Sequence, residues 1–155
     1  MTGRSRQQGL AIVEFAISVP LLIFLMLATA DIVRAFTQYS TLSNGVRNGA
    51  FYLARHSILG SSGVVNVSAA TITATQRLVM YGNTAGTGPL RVPGLAPGQI
   101  AVTNAGGGNV RVVVTYPYQS LFGGTIQTFG IGSNVSMVFN MVVSNTTRAV
   151  SGDTP

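Results

Sequence analysis

The stretch GLAIVEFAISVPLLIFLMLATA, residues 9–30, decides the architecture, because it is a long apolar run with one charged side chain, Glu14. A helix over residues 10–30 would be about 30 Å long, which is the thickness of the apolar core of a bilayer. We therefore predict a transmembrane helix there, with Glu14 inside the membrane near one edge. Since a carboxylate at mid-membrane costs about 2.5–3.5 kcal/mol, Glu14 requires compensation.

The charges on either side of this segment predict its orientation. Arg4 and Arg6 precede the segment, whereas Asp31 and Arg34, which follow it, roughly cancel each other. Positively charged flanks tend to stay in the cytoplasm. We therefore predict a cytoplasmic N-terminus and place residues 31–155 outside the cytoplasm.

A helical pattern continues beyond the apolar run. Apolar or small residues recur at steps of three and four: Ile32, Phe36, Tyr39, Ser43, Val46 and Ala50, with Leu42 and Leu53 beside them. This spacing predicts an exposed amphipathic helix over residues 31–56, continuous with the membrane segment. Its apolar stripe must pack against its own domain or against neighbouring copies. Gly45 and Gly49 form a G-x-x-x-G spacing, which could let two exposed helices approach closely. We favour close packing against the protein's own sheet instead, because the spacing lies outside the apolar span.

Residues 57–155 predict a small extracytoplasmic α+β domain. Residues 57–67 are a Gly/Ser-rich connector. Residues 68–81 predict a second helix, which Gly82 ends. Alternating apolar residues predict strands at about 99–103, 110–116 and 134–143, with a hairpin loop at 104–109.

The third of these strands alternates over a longer range than the others. We expect five side chains to face inward: Val135, Met137, Phe139, Met141 and Val143. The polar tail from Ser144 is expected to fray. The predicted fold class is therefore α+β, with a long N-terminal helix, half in the membrane and half exposed, and a small antiparallel sheet.

The composition offers little material for catalysis or metal binding. The chain has nine arginines, no lysine, three acidic residues, one histidine (His56) and no cysteine. Disulfides, Cys-zinc sites and thiol catalysis are therefore excluded. The arginines are scattered, without a cluster of interleaved aromatic residues, so we expect no nucleic-acid partner. We also expect no catalytic residues, no metal site and no cofactor, because no pair of acidic residues is available for acid–base chemistry.

Two kinds of processing fit the N-terminal segment. Ala28 and Ala30 form an A-x-A site for signal peptidase, which would release residues 31–155 as a secreted binding domain. A plain signal anchor that is never cut is a further alternative. Against a signal peptide stand Glu14 in its apolar core and a helical pattern that continues past the cleavage point.

The same stretch resembles the start of TadE-like proteins, minor pseudopilins of the tight-adherence (Tad/Flp) pilus, which is related to type IV pili. The residues that carry the resemblance are Gly9, Glu14, Phe15, Pro20, Asp31 and Arg34, followed by Arg47, Gly49, Ala50 and Arg55. It covers about residues 7–56. The related TadF-like proteins share this N-terminal pattern, so the residues fit either.

The resemblance implies a pilin-like fold and a processed membrane protein. A prepilin peptidase would remove residues 1–9 by cutting after Gly9, which leaves Leu10 as the new N-terminus, with Glu14 and Phe15 completing the recognition site. The implied location is the bacterial inner membrane. The implied partners are major and minor pilins and the inner-membrane assembly platform.

This processing would explain the carboxylate in the apolar run. The amine freed at Leu10 is a cation in the same membrane layer, so Glu14 could pair with its own amine or with that of a neighbouring subunit. Such a pair would help set the register between subunits. Gly9 would give the peptidase access to the backbone. Pro20 weakens the bond to the carbonyl of Ala16, which fits a simple kink or partial unwinding on assembly.

Overall fold

The computed structural model describes residues 3–58, 64–121, 123–126, 133, 135–136 and 138–150. The chain divides into two compact units, Met1–Phe36 and Thr37–Pro155. The described residues of the first unit are all helical. The second contains the end of the same helix, a second helix and the sheet, so the fold is α+β as predicted.

Helix α1 (Gly3–His56) begins before the apolar run and includes Pro20 in its interior. Leu, Ala and Ile dominate residues 10–30, and their side chains favour helix or tolerate it well. Pro20 has no backbone N–H, so the helix passes this residue without the hydrogen bond that would reach Ala16.

Within the second unit, α1 buries one face, and this face differs from the predicted stripe. Leu42, Val46, Ala50 and Leu53 are buried as expected. Four positions of the predicted stripe are exposed in the single chain: Ile32 and Phe36 in the first unit, and Tyr39 and Ser43 in the second. The predicted stripe follows the large apolar residues of the helix. The buried face also includes Gly45, Gly49 and Ala54, whose small size allows another element to approach.

Helix α2 (Ala69–Tyr81) has a local signal at each end. The backbone N–H of Thr71 donates to the Ser68 hydroxyl oxygen over 3.2 Å, which satisfies one of the free donors of the first turn. At the other end Gly82 has a φ of 81°, and its N–H donates to the carbonyl of Leu78 over 2.9 Å. The helix predicted at residues 68–81 thus has Ser68 as its N-cap.

Gly45 and Gly49 pack against α2, and the expectation that they pack against the sheet is wrong. A Cβ added to Gly45 would lie 3.2 Å from the carbonyl oxygen of Val79. A Cβ on Gly49 would lie 2.8 Å from Cγ2 of Val79, closer than real carbon contacts. The two glycines therefore let α1 and α2 approach until backbone and side chain are in contact.

A three-stranded antiparallel sheet forms the rest of the core, in the order β1-β2-β5. Its strands are β1 (Ile100–Gly106), β2 (Asn109–Tyr118) and β5 (Phe139–Arg148). Two short strands, β3 (Thr125–Ile126) and β4 (Val135–Ser136), pair separately with each other. One face of β2 is buried and consists of the side chains of Val110, Val112, Val114, Tyr116 and Tyr118.

The strand predicted at residues 134–143 is shifted in the structure. β5 begins at Phe139, whose side chain is 51% exposed instead of inward-facing, whereas Met141 and Val143 are buried. The main chain of Val135 belongs to β4, and Met137 lies outside the described residues. Local alternation marks a strand but cannot show where its partner begins.

The predicted fraying from Ser144 is also wrong for the described residues. β5 pairs with β2 as far as Arg148, which lies opposite Asn109. Beyond the strand, the N–H of Ala149 donates to the carbonyl of Gly108 over 2.8 Å, and the N–H of Val150 donates to that of Ala54 over 3.1 Å. These distant hydrogen bonds fix a segment that is polar in sequence.

The contact between Gly49 and Val79 can be tested with a double-mutant cycle. Gly49→Ala should destabilise the protein by about 1 kcal/mol, because overpacking against the stiff Val79 costs about 1–3 kcal/mol and outweighs a helix-propensity gain of about 1 kcal/mol. In a Val79→Ala background the same substitution should be neutral or stabilising. Denaturant unfolding of the full chain in detergent, followed by circular dichroism, measures both. Equal effects in the two backgrounds would contradict the contact.

Candidate functional site

The first candidate site is the apolar part of α1. Its large apolar side chains are 45–76% exposed: Ile12, Val13, Phe15, Ile17, Leu21, Leu22, Ile23, Phe24, Leu25, Met26 and Leu27. Within the described residues, α1 is the one helix long and apolar enough to cross a membrane, and its most apolar window is not buried at all. A helix that is apolar on all sides and unburied requires an apolar solvent. This helix fits a single-pass membrane protein.

Hydroxyl groups within this segment are satisfied by the helix itself. Ser18 donates from Oγ to the carbonyl of Glu14 over 2.8 Å, and Thr29 donates from Oγ1 to the carbonyl of Leu25 over 2.8 Å. Such bonds remove much of the cost of a hydroxyl in an apolar medium. They cannot neutralise a carboxylate. The exposed side chain of Glu14 therefore remains the one charge of residues 11–30.

The predicted processing residues lie together near the start of α1. Gly9 and Leu10 are part of its helical backbone, Glu14 follows one turn later, and Phe15 is exposed. The bond between Gly9 and Leu10 therefore lies within a helix. Glycine at this position allows the backbone to leave helical geometry at low steric cost.

The predicted assembly residues do not form one cluster. Glu14 and Asp31 are separated by about 26 Å along α1, at about 1.5 Å per residue. Asp31 is 7% exposed, whereas Arg34, three residues later, is exposed. Pro20 lies between Glu14 and Asp31 on the helix. The buried Asp31 is therefore in a different environment from Glu14 and Arg34.

A second candidate site lies at the far end of α1, and the sequence analysis missed it. The guanidinium carbon of Arg47 lies 5.6 Å from the ring centroid of Phe51. The rings of Tyr52 and His56 stack with centroids 4.1 Å apart, and Nδ1 of His56 lies 2.8 Å from the carbonyl oxygen of Tyr52. With Arg55, these residues make a basic and aromatic surface. The absence of such a cluster was expected from the scatter of arginines, and this expectation is wrong.

The signal for this surface was present as a spacing of four residues. Arg47, Phe51 and Arg55 follow one another at that interval, as do Asn48, Tyr52 and His56. Residues four apart are neighbours on a helix surface. Counting arginines along the chain hides this neighbourhood, because each arginine is isolated in sequence.

The exposed apolar helix and the small α+β unit together fit the class of single-pass membrane proteins that also carry a folded domain. More particularly, the family model described as TadE-like protein matches residues 9–50, which include Gly9, Glu14, Pro20 and Arg34. This match confirms the resemblance over those residues and indicates a protein associated with the Tad pilus. No curated protein and no solved structure matches the chain.

Charges placed in the apolar helix should prevent membrane insertion. Leu22 and Met26 are exposed and lie on one face. Changing both to Arg should remove the protein from carbonate-washed membranes, because each arginine at mid-membrane costs about 2.5–3.5 kcal/mol. The matched control changes Ser40 and Asn44, two exposed polar residues of the same helix, to Arg and should stay in the membrane. Retention of the Leu22/Met26 variant would contradict a membrane span over residues 10–30.

Proposed function

We propose that the protein is a minor pseudopilin that takes part in assembly or priming of a Tad/Flp-type pilus for adhesion. The observation that carries this proposal is the exposed apolar segment of α1 with one carboxylate near its start, in the residues that match the TadE-like family. In this proposal the protein is a structural subunit and not an enzyme. Its chemistry is to be the substrate of a prepilin peptidase.

Cleavage after Gly9 gives the carboxylate of Glu14 a partner. The new amine at Leu10 would lie about 6 Å from Glu14 along the helix axis, at about 1.5 Å per residue. An ammonium and a carboxylate at this depth reduce the desolvation cost that each bears alone. When subunits leave the bilayer, pairing between Glu14 of one subunit and the amine of a neighbour fixes their axial register.

The rest of α1 and the sheet have separate roles in this proposal. In this proposal Pro20 marks a part of the helix with one fewer hydrogen bond, where it can bend on assembly. The protein spans the bacterial inner membrane once, with its N-terminus in the cytoplasm and the unit Thr37–Pro155 outside. Its partners are the peptidase, major and minor pilins and the assembly platform. The sheet provides the outer recognition surface.

The N-terminus of the protein from its native host tests the proposal directly. Intact mass should show a chain that begins at Leu10, and Gly9→Val should leave the chain uncut because a branched side chain hinders access to the backbone. Gln8→Ala, a change beside the site, is the matched control and should be processed. A start at Asp31 would instead establish signal peptidase cleavage and a secreted domain, and an uncut wild-type chain would leave a plain anchor.

The role of Glu14 has its own test. Glu14→Ala should be inserted in the membrane, but it should lose co-assembly with partner pilins by roughly tenfold or more, because the amine at Leu10 loses its counter-charge. Co-purification with sheared pili measures this loss. Ser18→Ala, one turn away on the same helix, should assemble normally. Wild-type assembly of the Glu14→Ala protein would contradict a role in register.

A further inference from the structure

The exposed side of α1 in the second unit carries two adjacent rows of side chains. One row is Tyr39, Ser43, Arg47, Phe51 and Arg55, and the other is Ser40, Asn44, Asn48, Tyr52 and His56. All are exposed except the half-buried Tyr52. We call these ten residues the α1 strip. It is about 25 Å long, at about 1.5 Å per residue.

The α1 strip has the composition of a binding surface at its end nearest His56. Asn48, Phe51, Tyr52, Arg55 and His56 line an open cavity of about 390 Å³. Tyr39 and Phe51 are each 46% exposed, so their rings would bury further apolar area against a partner. Tyrosine and arginine are also the residues that most often dominate protein–protein binding energy.

The charge of this unit restricts the partner. Residues 37–150 contain six arginines and no aspartate or glutamate. The arginines are Arg47, Arg55, Arg77, Arg91, Arg111 and Arg148, and all six are exposed. No carboxylate of this segment can pair with Arg47 or Arg55. A partner that supplies carboxylates would therefore gain from electrostatic complementarity, and no carboxylate of residues 37–150 would compete with it for the two arginines.

Among residues 37–150, a second copy of the chain offers no carboxylate that could face the α1 strip. Its acidic residues are Glu14, Asp31 and Asp153. Glu14 belongs to the apolar segment and Asp31 is buried, while Asp153 lies outside the described residues. Packing of one α1 strip on another would place arginine against arginine, which costs free energy.

We propose that the α1 strip binds an acidic segment of a different protein, with carboxylates set against Arg47 and Arg55 and apolar side chains against Phe51 and Tyr39. The exposed rings favour a polypeptide partner over a purely ionic one, since they gain from apolar contacts. The inference deepens the proposed function, on which it rests for taking the partner to be another pilus subunit. It makes this subunit a member of a mixed assembly, one that does not polymerise through the α1 strip alone.

Binding of a designed peptide to the full chain in detergent micelles tests the proposal. The probe is a fluorescent 21-residue amphipathic helix with glutamates on one face and leucines beside them. Fluorescence anisotropy should show binding that weakens with salt, and a matched peptide with lysines in place of glutamates should bind at least about tenfold more weakly. The variant with Arg47→Glu and Arg55→Glu should lose affinity for the glutamate peptide by about tenfold or more.

The matched control has the same change in net charge at another surface. Arg111→Glu with Arg148→Glu reverses two exposed arginines of β2 and β5 and should leave affinity within about twofold. Thermal melts by circular dichroism check that both variants fold. Equal losses in the two variants would reveal general attraction to a cationic unit and would overturn the proposal.

Three further outcomes would also overturn it. A polyuronic acid oligosaccharide, or vesicles containing phosphatidylglycerol, could bind in a manner that depends on Arg47 and Arg55 while the glutamate peptide does not. The full chain could self-associate through the α1 strip, as shown by sedimentation and loss in the Arg47/Arg55 variant. A failure of the proposed function is distinguished by a different experiment. It would show as an N-terminus other than Leu10 in the intact mass, whereas the peptide assay does not depend on processing.

Discussion

Helix α1 passes through two different environments along one continuous backbone. Over residues 11–27 its apolar side chains are exposed except the half-buried Val19, which is stable only if the surroundings are apolar too. From Leu42 to Ala54 one face is buried in protein and the other carries polar, basic and aromatic groups. The same helical geometry serves both, because a helix satisfies its own backbone hydrogen bonds in either medium. The membrane segment and the folded unit thus share one element.

The second unit depends on how closely α1 and α2 approach. Gly45 and Gly49 leave no side chain between the helices, so Val79 lies directly against the backbone of α1. The sheet is then completed by β5, and the main chain after it returns to Ala54 near the end of α1. This link joins a late part of the chain to an early one. It adds a constraint to a core that has no disulfide to support it.

Charge is distributed unevenly between the two units. Glu14 and Asp31 are both in the first unit, whereas residues 37–150 contain arginine as their only charged residue type. A carboxylate in an apolar segment needs a cation, and a group of exposed arginines attracts carboxylates. Among residues 37–150 no carboxylate can supply this second charge. In the proposed pilus the cation is supplied by an amine and the carboxylates by a different subunit.

The sequence by itself determined the apolar helix, its continuation to His56, the second helix with the glycine that ends it, and the alternation of β1 and β2. These follow from local spacing, composition and helix-end signals. Residues 9–50 also carried the family resemblance. Only the tertiary structure decided which face of α1 is buried, and hence that the row of Arg47, Phe51 and Arg55 stays exposed, that the two glycines meet α2, and where β5 begins and ends. Each of these depends on a partner element far away in sequence, and a local pattern holds no information about the position of that partner.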